Sequence, residues 1–171
     1  MKNIFYSVLL SLTMLFLSAC DYYHVGSLMH PQIKSIAIGD VINDTAAYNA
    51  SYQLKQLLAE EFMTDGSLEL TNRRVADAII FARIISVGFS SITNKEKGDG
   101  IKHPIEWRVR VVVEYSAIVP GEKNPLVKSR VNGEAYCQAT ANTADEMRQR
   151  AIMMACRNAA QKIVQSTVEA W

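Results

Sequence analysis

Residues 33–171 predict an α+β fold, a two-layer sandwich in which two helices pack on one face of a four-stranded sheet in the order β-α-β-β-β-α. Three observations carry this prediction. Trp107, Val109, Val111, Val113 and Tyr115 alternate with Arg108, Arg110 and Glu114, which is the period-two mark of a half-buried strand. Leu54, Leu57, Leu58 and Phe62 recur at the spacing of one helix face. Ile152, Ala155, Cys156, Ala159 and Ile163 draw a second, narrower helical stripe, and its alanines suit close approach to a sheet.

Taken in order, Ile33-Lys34-Ser35-Ile36-Ala37-Ile38 is β-branched and partly alternating, a first strand closed by the turn formers Gly39, Asp40, Asn43 and Asp44. The first helix follows, with Asn49 or Ser51 placed to cap its start and Asp65-Gly66 to stop it. Leu68 to Leu70 adds a short extended piece. Ala78 to Phe89 is β-rich with apolar residues on both faces, so both faces need cover. A polar loop over Ser90 to Pro104 leads to the alternating strand, which Pro120-Gly121 closes. Val127 to Gln138 is the next strand, with Val127, Val131, Ala135 and Cys137 on one face and Lys128, Arg130 and Glu134 on the other, an antiparallel hairpin partner. Thr143-Ala144-Asp145-Glu146 has the form of a capping box and opens the last helix, expected to reach about Val168.

Ahead of this domain stands a bacterial lipobox, Leu17-Ser18-Ala19-Cys20. Lys2 supplies the positive start, Ile4 to Leu17 the apolar run, and Ser18-Ala19 the small residues before cleavage. That run is too short for the roughly 20 residues of a spanning helix. Residues 1–19 therefore read as a removed signal peptide, 20–32 as a lipidated lead-in, and 33–171 as one domain. Diacylglycerol on the Cys20 thiol and palmitate or a similar chain on its amine would anchor the protein, each buried methylene adding about 0.8 kcal/mol. With 18 basic and 17 acidic residues, and Lys2 the one charge in the leader, the mature chain is neutral, which argues against a nucleic-acid partner.

Candidate sites are few. If two helices cover one face of the sheet, Ile79, Phe81, Ile85, Val87 and Phe89 look outward as an apolar partner surface; the alternative turns Ala78, Ile80, Ala82 and Ile84 out instead. Cys137 and Cys156 are candidates for a disulfide in an oxidising compartment, since both point into the layer between sheet and last helix at similar depth. His24, His30 and His103 are scattered, with no second His at ligand spacing, and there is no Gly-rich phosphate loop or Gly-x-Ser-x-Gly elbow. No catalytic residue, metal or cofactor is expected.

Several pieces in sequence then resemble one family. Cys20 is followed by Tyr23-His24-Val25-Gly26, then by Ile33-Lys34-Ser35-Ile36-Ala37-Ile38 with Asn43-Asp44-Thr45, then by Ala76-Asp77-Ala78 opening a strand. The end carries Ala155-Cys156-Arg157-Asn158-Ala159-Ala160, and Ile163-Val164 through Glu169-Ala170-Trp171. Their order and spacing resemble the lipopolysaccharide-assembly outer-membrane lipoproteins called LptE. The resemblance implies a non-catalytic plug protein, lipid-anchored at the periplasmic face of the outer membrane or in a barrel lumen, where it supports an LptD-like β-barrel and helps deliver lipopolysaccharide to the cell surface. It also draws attention to Lys95, Lys97 and Lys102, clustered ammonium donors in one loop, as contacts for lipopolysaccharide phosphates. Asp21 after the lipidated Cys departs from the enteric pattern for outer-membrane sorting. A second function class is an accessory lipoprotein of another envelope machine, a curli-like or secretin pore.

Overall fold

The computed structural model describes residues 33–92, 105–139 and 144–169. Within them lie β1 (Ser35–Asn43), α1 (Ala50–Asp65), β2 (Glu69–Leu70), β3 (Ala78–Ile92), β4 (Ile105–Ile118), β5 (Val127–Ala139) and α2 (Ala144–Glu169). The architecture is the expected α+β sandwich. The sheet has five strands in the order β2-β1-β3-β4-β5, because the short piece after α1 pairs with β1 as an edge strand. β1 runs parallel to both β2 and β3, and the remaining pairs are antiparallel.

Local chemistry explains the boundaries of α1. Asn49 adopts φ 62°, a left-handed conformation that Asn tolerates better than most residues, and its carbonyl accepts the first helical bond from Gln53 at 3.0 Å. At the other end Gly66 takes φ 70° and its N–H donates to the Phe62 carbonyl at 3.1 Å, closing the helix as a glycine at this position should. Thr143 of the expected capping box lies outside the described residues.

The core fills the space between the helices and one sheet face. Ala78, Ile80, Ala82 and Ile84 of β3 meet Val109, Val111, Val113, Tyr115 and Ala117 of β4 on this inner face, all buried. Leu54, Leu58 and Phe62 descend from α1, and Ala155, Ala159 and Ile163 from α2. At Gly133 of β5 a Cβ would stand 2.0 Å from the Ala155 carbonyl oxygen and 2.8 Å from the Ala159 Cβ, so the alanine stripe rests on bare backbone.

A carboxylate ties the start of the sheet together. Asp77 Oδ2 accepts the Lys34 N–H at 3.0 Å, the Ser35 N–H at 2.9 Å and the Ser35 hydroxyl at 2.8 Å, while the Asp77 N–H donates to Ser35 Oγ at 3.1 Å. These bonds join Ser35, the first residue of β1, and Lys34 before it to the residue before β3. The Lys34 amide, followed by the Ser35 donors, holds the Asp77 pKa below its ordinary value.

Candidate functional site

The strand phases decide which residues reach the open face of the sheet. On β3, Ile79 and Phe81 face away from the helices and are half-buried. The expected outward set breaks at Ile85. Ile84 pairs with Val113 and Ser86 with Val112, so Ile85 is an extra residue with no partner on β4. Past this bulge the alternation reverses. Val87 lies opposite buried Val111 and Phe89 opposite buried Val109, which places both on the helix side, and the Arg148 guanidinium of α2 sits 4.8 Å from the Phe89 ring centroid. Ile79, Phe81, Ile85, Val87 and Phe89 thus do not form one face. The opposite choice fails as well, since Ala78, Ile80, Ala82 and Ile84 are buried under the helices.

The open face carries a cluster built on one aromatic ring, Phe81, at one end and paired charges along the rest. Phe81 covers Gly39 so closely that a Cβ there would lie 2.7 Å from the ring. Arg73 stacks on the same ring at 5.2 Å from its centroid and reaches Asp40 at 3.5 Å. Beside this cluster a row of alternating charge runs from the end of β1 across three strands: Asp44, just past β1, accepts from Arg83 of β3 at 3.0 Å, Arg83 pairs in register with Glu114 of β4, and Arg130 of β5 donates to Glu114. Arg110 and Glu134 form a second pair at 2.8 Å. The hydrogen bond from Arg130 holds the Glu114 carboxyl below its usual range. Between the cluster and the charge row lies a shallow depression of about 260 Å³ lined by Ile42, Phe81, Arg83, Glu114, Ser116 and Lys128. Such a surface offers aromatic contact and charge-assisted hydrogen bonds to a flat partner.

The period-two pattern already placed Arg110, Glu114, Arg130 and Glu134 on the polar side. It missed Gly39, Arg73 and Phe81 as a unit, for which the only sequence sign is a glycine in a strand, the mark of a close approach. Cys20 and the loop lysines Lys95, Lys97 and Lys102 lie outside the described residues.

The expected Cys137–Cys156 bond is not made: both are free thiols. The reason is register. Gly133 sits beneath Ala155 and Ala159, so the strand at Cys156 is near Gly133, while Cys137 lies four residues onward, about 13 Å at a rise of about 3.3 Å per residue. Disulfides need Cα atoms within about 7 Å. Burial instead pushes the Cys156 thiol up to about 11. Among the described residues no three of His, Cys, Asp and Glu gather as a metal-holding group, and no helix is long and apolar enough to cross a membrane.

Neither a protein-family model nor a curated protein sequence matches the chain. Solved structures do match in fold. A protein from Xanthomonas campestris in a family of unknown function aligns with TM-score 0.58 and 9% identity over 80% of this chain and 84% of its own. A hypothetical protein from Chlamydia trachomatis gives 0.52 and 7% over 79% and 95%. A candidate lipoprotein from Caulobacter crescentus gives 0.50 and 12% over 75% and 87%. At such identities the likeness is one of fold: the chain shares its two helices and curled mixed sheet with these bacterial proteins.

Proposed function

We propose that this chain is a non-catalytic envelope lipoprotein, held by acyl chains on Cys20, that seats against an LptD-like outer-membrane barrel and supports lipopolysaccharide delivery to the cell surface. The observation that carries the reading is the lipobox at Cys20 joined, through a short lead-in, to a single α+β sandwich. The ordered resemblance from Tyr23-His24-Val25-Gly26 to the C-terminal helix supports the barrel partner. The shared fold with a candidate lipoprotein supports the anchored envelope class. In this reading the open sheet face, with Phe81 and its paired arginines, is a docking surface, and Lys95, Lys97 and Lys102 meet lipopolysaccharide phosphates.

Purification of the tagged full chain from its own host tests this. A co-purifying barrel of about 26 strands is the expected result, and a secretion pore in its place, with no such barrel, overturns the partner assignment.

A further inference from the structure

The open sheet face carries a pattern that complements itself. Where β3 and β4 meet on it, residues in register are of unlike kind: Phe81 stands beside Ser116, Val112 beside Ser86 and Arg110 beside Gly88, a large side chain next to a small one each time. At Gly88 even an added Cβ would meet nothing within 4 Å. Arg83 stands beside Glu114, and with Asp44 and Arg130 on the flanks the row reads negative, positive, negative, positive. The bonds within the row use one atom of each group, Arg83 Nη1 with Asp44 Oδ2 and Arg130 Nη2 with Glu114 Oε1. A guanidinium has five N–H donors and a carboxylate two oxygens, so the row keeps bonding capacity towards a partner.

A second copy of this face fits such a pattern. A two-fold axis laid along the seam between β3 and β4 sets each residue opposite the image of its own register partner. Arg83 then meets Glu114 of the second copy, Arg130 lies on the side of its Asp44, Phe81 stands over its Ser116 and Arg110 over its bare Gly88. The charges also fix where the axis lies. Moved onto β4 it would oppose Arg83 to Arg130, and moved onto β3 it would oppose Asp44 to Glu114, like charges in both cases. Only the seam at the middle of the row matches all four.

We propose that two anchored copies of this chain stack open face to open face about that axis. Its direction rests on the Cys20 anchor of the reading above, and not on the barrel partner. An axis along the strands leaves their direction unchanged, so Ile33, just ahead of β1, stands at the same end of both copies and both anchors can enter one membrane. An axis across the strands would put the two ends on opposite sides. At about 3.3 Å per residue and about 4.8 Å between strands, the 13 residues of β5 and the three strands β3 to β5 outline roughly 600 Å². That is below the about 800 Å² per partner of a standard interface. Confinement of both anchors to one membrane makes up the difference by raising the effective concentration. The face is also the one given above to the barrel, so the two occupants exclude each other.

The test uses full-length protein with Cys137→Ser, acylated in its host, reconstituted without any barrel into vesicles of phosphatidylethanolamine and phosphatidylglycerol, and treated with a short bis-maleimide. The remaining thiol, Cys156, is buried. Val112 and Asn132 are in register on the open face, Val112 on a strand beside the axis and Asn132 one strand further out. With about 4.8 Å between strands and about 10 Å between sheets, the two Cα atoms at position 112 lie about 11 Å apart and those at 132 about 17 Å. Val112→Cys should therefore cross-link to a dimer several-fold more than Asn132→Cys. Arg83→Glu with Arg130→Glu makes the row all acidic, and Asp44→Lys with Glu114→Lys makes it all basic. Each should lose the cross-link at 112 alone and regain it when the two are mixed. In floating vesicles, no cross-link at 112, equal cross-linking at 112 and 132, a cross-link that survives charge reversal, or no recovery on mixing overturns the pairing and leaves the anchor and the barrel reading standing. A parent that does not float overturns the anchor, and the choice of axis with it.

Discussion

Gly133 lies directly beneath the carbonyl oxygen of Ala155, at a separation that leaves no room for a side chain. The atom in the way is helix backbone, which cannot swing aside as a side chain would. Gly133→Ala is therefore expected to lift α2 from the sheet and lower stability by about 3 kcal/mol, the upper range for overpacking. Chemical denaturation of the two proteins checks this, with Ala135→Gly as a comparison in which space is vacated rather than filled.

The Asp77 carboxylate should make stability depend on acid. Its folded pKa is depressed by the Lys34 and Ser35 donors, so the unfolded chain binds its proton first as pH falls. The stabilisation is present above the ordinary Asp pKa of about 4 and is lost below it, as pH drops through the folded value. Denaturation midpoints measured from neutral pH down to about pH 2 should fall less steeply for Asp77→Asn than for the parent.

The two thiols should behave as separate, unpaired groups. In native protein Cys137, half-buried, should alkylate well before Cys156, which is buried and titrates near 11; unreduced protein in denaturant should take up alkyl groups at both. Since folding raises the Cys156 pKa, its contribution to stability is full below about pH 8.5 and is lost as pH rises towards the folded value. Cys156→Ala should remove that alkaline decline.

The free edge of β5 is guarded by α2. The Lys162 ammonium donates to the Asn132 carbonyl at 2.8 Å, and the Glu134 N–H donates to Asn158 Oδ1 at 3.1 Å. Both backbone groups belong to the outermost strand, where unpaired ladder groups invite another strand. Asn158→Ala with Lys162→Ala should cost about 1–2 kcal/mol and raise self-association, read by light scattering against concentration.

The sequence by itself determined the elements whose evidence is periodic and local. Leu54 to Phe62 and Gly66 mark α1, the Trp107 to Tyr115 alternation marks β4, and the alanines of α2 announce its close seat on the sheet, because side-chain period and cap chemistry need no partner to be read. Three features were decided only in the tertiary structure. The short stretch Glu69–Leu70 became a strand because β1 offers it an edge. Val87 and Phe89 turned to the helix side because Ile85 bulges against β4, and a bulge is a property of two paired backbones that a run of apolar residues in one strand does not reveal. Cys137 and Cys156 stayed apart because Gly133 sets where α2 rests along β5, a register fixed by steric contact across the layers rather than by the length of the loop between them.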